Sequence, residues 1–189
     1  MTIDDGTLIL DYGLNTQQPR GLLLLCPRRF CPHGVTDVSV DDLRKSGIEA
    51  VILDLDNTLV EWQRHDVSTG VNQWLAALKE SGMKLCLLSN TRFGRRLKKM
   101  SEELGIPYVR QAMKPSKKGF HAAMELMGAD PSKTVMIGDQ MFTDVWGANR
   151  SGIFSIMVPP MAHREFFGTK ISRMAERVLL SYFRRKGHI

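Results

Sequence analysis

The sequence predicts an α/β fold built on a mostly parallel sheet, and three observations predict it. Short apolar runs at residues 50–53, 83–88, 134–137 and 153–158, with a briefer one at 107–109, have the length and continuity of strands buried on both faces. Stretches of helical periodicity separate them. Each helical stretch is punctuated by glycine, proline or a hydroxyl residue. Strands alternating with helices at this spacing mean repeated βαβ units. The 189 residues suit one domain with appended segments, and a hydrophobic share of 43% is enough for a sizeable core.

Taken in order, residues 1–20 show little periodicity and read as an extension. Residues 22–26 predict a short strand halted by Pro27, and Arg28 to Pro32 a surface loop whose two arginines could meet an anion. Asp41 to Ser46 reads as a short helix closed by Gly47. Residues 1–48 are thus expected to form an N-terminal extension packing on a core of residues 49–160, with residues 161–189 as a C-terminal basic amphipathic helix. After the 50–53 strand, Glu61 to Asp66 is too polar for core. A helix follows with Val71, Trp74, Leu75 and Leu78 on one stripe, ending near Gly82. After the 83–88 strand, a helix places Phe93, Leu97, Met100 and Leu104 inward and Arg92, Arg95, Arg96, Lys98 and Lys99 mostly outward. Ser116 is a good N-cap for a helix with Phe120, Ala123, Met124 and Met127 on its apolar side. In the last helix, 169–186, Ile171, Met174, Ala175, Val178, Leu179, Tyr182 and Phe183 share a stripe. Such a helix docks on its own domain or a second subunit, or lies on an anionic membrane surface.

Charge and cysteine usage narrow the function classes. A net charge of +6 with pI near 9.4 favours anionic partners, although a solvated basic surface accounts for it equally well. The aromatics that interleave basic residues on single-strand-binding surfaces are missing, so no nucleic-acid partner is expected. Three cysteines, Cys26, Cys31 and Cys86, are an odd count and do not read as a disulfide framework. A reducing, cytoplasmic setting is the simpler inference. Cys26, Cys31 and His33 fall short of the four ligands of a structural zinc site. No run approaches the roughly twenty apolar residues of a spanning helix, and Asp4 and Asp5 stand where a secretory signal would be basic.

The chemistry gathers at strand ends. The 50–53 run stops in Asp54 and Asp56, followed by Asn57 and Thr58. Strand periodicity would point both carboxylates the same way. Like charges that close raise each other's pKa, which a divalent cation relieves. The second strand ends in Ser89, Asn90 and Thr91; Lys114-Pro115 precedes a helix; the fourth strand ends in Gly138-Asp139-Gln140, with Thr143 and Asp144 beyond. Singly these are ordinary features: an N-cap, a helix lead-in, a turn, an acid at a helix start. Together they lie where open parallel sheets bind ligands. They also supply what phosphoryl transfer needs, namely a carboxylate nucleophile, oxygen ligands for a metal, cationic and hydroxyl donors, and a second carboxyl to move a proton.

Those four strand-end motifs, in that order between Glu49 and Val158, resemble the signature of haloacid dehalogenase (HAD) superfamily phosphatases. Asp54-Leu55-Asp56-Asn57-Thr58 is similar to the first motif, Ser89-Asn90 to the second, Lys114-Pro115 to the third, and Gly138-Asp139-Gln140 with Thr143-Asp144 to the fourth. The resemblance implies a Rossmann-like three-layer sandwich with a five-stranded sheet in the order 5-4-1-2-3. It implies a Mg²⁺-dependent phosphomonoesterase working through an aspartyl-phosphate. In that reading Asp54 is the nucleophile and Asp56 the general acid/base, and Ser89, Asn90 and Lys114 hold the phosphate. Asp54, the Asp56 carbonyl and Asp139 bind the metal, and Asp144 supports it. The intervals between motifs leave no room for the cap domains of the superfamily, so an open site is expected, with 61–66 and Trp62 as its flap. Closer resemblance is to the YqeG-like branch that includes mitochondrial phosphatidylglycerophosphate phosphatases. It is carried by Asn57, Leu59-Val60, Thr169-Lys170, Arg173 and Glu176. It implies a lipid substrate and peripheral contact with the membrane. A soluble sugar, nucleotide or phosphoprotein substrate, a slowly turning-over scaffold phosphorylated on aspartate, and a homo-oligomer covering the site all stay open at this point.

Overall fold

A computed structural model of the chain describes residues 19–61, 64, 66–162 and 167–189, the last helix by its backbone alone over 167–171. Of the first 18 residues it describes only the backbone of an antiparallel pair, β1 (Thr2–Asp4) and β2 (Thr7–Ile9). Trp62 and the rest of the expected flap at 62, 63 and 65, and the side chains of Thr169, Lys170 and Ile171, lie outside the described residues.

The main sheet has six parallel strands: β3 (Arg29–Phe30), β4 (Ala50–Leu53), β5 (Lys84–Leu88), β6 (Tyr108–Val109), β7 (Thr134–Gly138) and β8 (Phe154–Met157). Their spatial order is β3-β8-β7-β4-β5-β6. Five of them stand in the expected order, and β4 and β7 pair at the point where the order reverses. All four residues of β4 are buried, because helices cover both faces of the sheet. Val51 and Leu53 point to one face, where α1 (Val40–Lys45), α2 (Thr69–Glu80) and α3 (Gly94–Leu104) bring Leu43, Trp74, Leu78, Leu97 and Met100. Ala50 and Ile52 point to the other, against Phe120 and Met124 of α4 (Lys117–Met127) and Ala148 of α5 (Trp146–Arg150). Period-two alternation thus feeds two cores from one strand. Ser116 caps α4 by accepting from Lys118 N, and Gly105 and Gly128 end α3 and α4 in the left-handed conformation.

The sixth strand corrects the sequence reading of the N-terminal segment. Arg29 and Phe30, expected in a surface loop, pair with Ile156 and Met157 and extend the sheet at the β8 edge. Two residues are too few to show alternation, so only the open edge of β8 defines them as a strand. The 22–26 run, expected as a strand, is instead a 3₁₀ turn, Gly21–Leu25. Asn149 Nδ2 donates to the carbonyls of Leu24 and Cys26 at 2.9 Å each, satisfying there what a ladder would otherwise satisfy. Phe93 is also not an inward residue: it precedes the first turn of α3 and is 87% exposed.

The C-terminal helix, α6 (Phe167–Arg185), packs differently from its apolar stripe. Its buried side carries Glu176 and Phe183, with Leu179 and Leu180 partly covered beside Cys26, Met141, Val145 and Met157. Met174, Val178 and Tyr182, on the expected stripe, remain exposed. Glu176 accounts for the difference: its Oε1 accepts from the Met141 backbone N–H at 2.9 Å, turning a charged residue inward. No described helix is long and apolar enough to cross a membrane.

Candidate active site

The site forms where β4, β5 and β7 end. Asp54 extends the ladder by one residue, its N–H donating to Ile137 O at 3.0 Å, so its carboxylate leaves the sheet at the switch point between β4 and β7. The chain then turns sharply. Leu55 enters the core, Asn57 takes a left-handed conformation (φ 64°), and Asn57 N–H donates to Val60 O at 2.7 Å. The turn brings the Thr58 hydroxyl 3.5 Å from Asp54 Oδ2 and 3.3 Å from Asp139 Oδ1, so its single proton can serve either carboxylate.

β5 delivers Ser89 and Asn90. Asn90 clamps the Lys114 backbone, with Oδ1 accepting from Lys114 N at 2.7 Å and Nδ2 donating to Lys114 O at 3.1 Å. That clamp, at a cis Lys114–Pro115 bond, sends the Lys114 side chain inward. Its ammonium reaches Asp54 Oδ1 at 2.5 Å and Asp144 Oδ1 at 2.7 Å. Ser89 is buried beside this clamp, its Oγ accepting from Thr91 N at 3.1 Å.

β7 ends in Gly138-Asp139, and the following residues, Met141–Val145, form a single π-helical turn. Such turns are commonly found at functional sites. This one folds Asp144 back so that its Oδ2 accepts from Gln140 N at 3.1 Å. A Cβ on Gly138 would lie 2.4 Å from Asp144 Oδ2, so only glycine admits the carboxylate there. Asp139 is fully buried and is met by Arg173 of α6, which donates to both its Oδ2 and its backbone carbonyl.

Asp54, Asp139 and Asp144 each offer an oxygen within 4.8 Å of the others. Burial, opposed by Lys114 and reinforced by Asp144, pushes the Asp54 carboxyl up to about 7. Burial and the charge of Asp54 likewise raise Asp139 well above the usual carboxylate range, with Arg173 acting against them. Burial works against the Lys114 charge, but the two carboxylates outweigh it and raise its pKa. Counting Glu176, four buried carboxylates face two cations, Lys114 and Arg173. The set is two positive charges short and offers hard oxygen donors, which fits Mg²⁺ in charge and in ligand type.

Asp56 is not one of these three grouped carboxylates, although its charge is among those that raise the Asp54 carboxyl. Its Oδ1 pairs with Arg96 of α3, a residue expected to face outward, which also donates to Arg64 O. Arg96, Arg173 and Glu176 are the neighbours of the site that sequence reasoning did not place there. In the sequence, Arg173 and Glu176 stand out only as part of the YqeG-like pattern, and nothing marks Arg96.

Residues 39–152 match the family model of haloacid dehalogenase-like hydrolases. The chain is 41% identical to "Probable phosphatase YqeG" of Bacillus subtilis over 152 residues, covering 80% of this chain and 88% of that protein. It is 27% identical to the chloroplastic/mitochondrial phosphatidylglycerophosphate phosphatase 1 of Arabidopsis thaliana, where the match covers 82% of this chain and 49% of the plant protein. The chain thus spans about half the length of that relative. Among solved structures, an uncharacterised Listeria monocytogenes protein superposes with a TM-score of 0.50 at 20% identity, over 71% of this chain and 99% of that one. NagD of Escherichia coli does so with a TM-score of 0.50 at 14% identity, over 62% and 98%.

Proposed function

The chain belongs to the haloacid dehalogenase-like hydrolase family, and from that premise we propose that it is a phosphomonoester phosphatase with Asp54 as its nucleophile. The observation that carries this reading is the convergence of Asp54, Lys114, Asp139 and Asp144, brought from the ends of β4 and β7 and from the loop before α4 into one buried cluster. Asp54 attacks phosphorus, an O–P bond forms, and the bond to the substrate oxygen breaks. The Lys114 ammonium and the Ser89 hydroxyl stabilise the phosphoryl oxygens. Asp56 gives its proton to the departing alkoxide, then takes one from the water that attacks the aspartyl-phosphate, releasing phosphate and restoring Asp54. To do so, Asp56 exchanges its contact with Arg96 for the leaving group. Asp54, Asp139 and the Asp56 carbonyl would hold Mg²⁺, with Asp144 in support, and the ion, when bound, screens the nucleophile from the charge of the phosphoryl oxygens.

The test is hydrolysis of p-nitrophenyl phosphate. Activity is expected to require Mg²⁺ and to vanish in Asp54→Asn and Asp56→Asn. Retained turnover in Asp54→Asn would remove Asp54 as the nucleophile.

For the substrate, the reading best supported is a lipid phosphomonoester such as phosphatidylglycerophosphate, the substrate named for the plant relative. Three observations favour it. The described residues between β4 and β7 hold no cap over the site. An apolar groove of about 430 Å³, lined by Phe30, Met157, Pro159, Met174 and Leu180, opens beside Arg173, the partner of Asp139. The exposed Met174, Val178 and Tyr182 of α6, set among basic residues, suit peripheral contact with an anionic surface. Phosphate release from phosphatidylglycerophosphate in mixed micelles, compared with soluble sugar and nucleotide monophosphates, decides between a lipid and a soluble substrate.

A further inference from the structure

Arg173 and Glu176 lie outside the stretch that matches the family model, yet they hold both ends of the segment that carries Asp139. Arg173 donates one guanidinium nitrogen to Asp139 Oδ2 and the other to the Asp139 backbone carbonyl. The second nitrogen also reaches Glu176 Oε2 at 2.9 Å. Glu176 Oε1 accepts from Met141 N at 2.9 Å, two residues beyond Asp139. The four residues therefore close a ring: Asp139 to Arg173, Arg173 to Glu176, Glu176 to Met141, and Met141 back along the chain. Arg173 and Glu176 are both largely covered, so solvent competes little with these contacts.

The ring has a directional consequence. With Oδ2 and the carbonyl occupied by a planar fork, the Asp139 carboxylate cannot rotate freely, and Oδ1 is left facing Thr58 and the Asp54 side of the cluster. A carboxylate fixed through one oxygen by a neighbouring donor presents the other to a metal in a single orientation, as outer partners of metal ligands commonly arrange. A lysine in place of Arg173 would supply a point charge without the two-point fork.

We propose that Arg173, itself held by Glu176, is a positioning residue that aims Asp139 Oδ1 into the cation site, so that docking of α6 sets the affinity of the core for its divalent ion. The proposal rests on Asp139 being a metal ligand. It makes the C-terminal helix part of the active site and not an appendage beside it.

The experiment uses Mn²⁺ as the probe, with free ion measured by electron paramagnetic resonance during titration of the metal-free full-length chain. Arg173→Ala is expected to weaken Mn²⁺ binding by roughly 10–100-fold, and Arg173→Lys to recover only part of it. Glu176→Gln, which keeps the oxygen facing Met141 but loses the charge facing Arg173, is expected to fall between Arg173→Lys and wild type. Circular dichroism and urea unfolding show that each variant is folded, and if Arg173→Ala is not, Arg173→Lys and Glu176→Gln decide. Wild-type or tighter Mn²⁺ affinity in the folded Arg173 variants, with binding lost in Asp139→Asn, overturns the positioning role and leaves the metal site standing. Retained binding in Asp139→Asn overturns both.

Discussion

Asp54→Asn offers a test that does not depend on turnover. Burial and the charge of Asp144 outweigh Lys114 and push the Asp54 carboxyl up to about 7 from an ordinary 3.8. For an acid raised in this way, the folded state keeps its proton at pH values where the unfolded chain has already lost it. Stability is therefore lost as pH rises from about 4 to about 7 and levels off above that. The full shift corresponds to about 4 kcal/mol, and the part between pH of about 5.5 and about 8 to roughly 2 kcal/mol. Asparagine has no proton to lose. Removing the Asp54 charge also relieves Asp139, which adds in the same direction. Urea unfolding in EDTA at both pH values should show the wild type losing roughly 2 kcal/mol more than Asp54→Asn on going to the higher pH. Mg²⁺ should restore the wild type at the higher pH, since it replaces the missing positive charge, and should do less for the variant. Equal pH dependence in the two proteins would refute the electrostatic account of the cluster, as would a variant that loses more than the wild type.

Two further predictions follow from the same geometry. Lys114→Met leaves Asp54 and Asp144 buried without their shared cation; a loss of about 3–5 kcal/mol in urea unfolding at neutral pH is expected, together with loss of p-nitrophenyl phosphate hydrolysis. Gly138→Ala sets a methyl group against Asp144 Oδ2, costing about 1–3 kcal/mol in urea unfolding and lowering activity by an order of magnitude or more as the carboxylate is displaced.

The elements legible in the sequence were those whose evidence is local. The 50–53 and 134–137 runs announce strands because three or four consecutive apolar residues satisfy both faces of a covered sheet, and their polar stops mark the edge where the candidate site forms. The helix over α2 was legible for the same reason, with Val71, Trp74, Leu75 and Leu78 all buried. The two-residue strand β3 was not, since nothing in Arg29-Phe30 distinguishes a strand from a loop until β8 presents an open edge. Nor was the exposure of Phe93, which depends on α3 starting one residue later.

By itself the sequence determined which side chains stand at the strand ends, because apolar runs must stop where the sheet leaves its helical cover. Only the tertiary structure decided how those side chains meet. Asp56 pairs with Arg96, forty residues on in the chain. A buried Glu176 turns α6 so that Arg173 meets Asp139 and most of the described apolar stripe faces outward. Side-chain period follows from backbone geometry within one element, whereas charge pairing is settled between elements, by whichever opposite charge the fold brings within a few ångströms in a place where water is scarce.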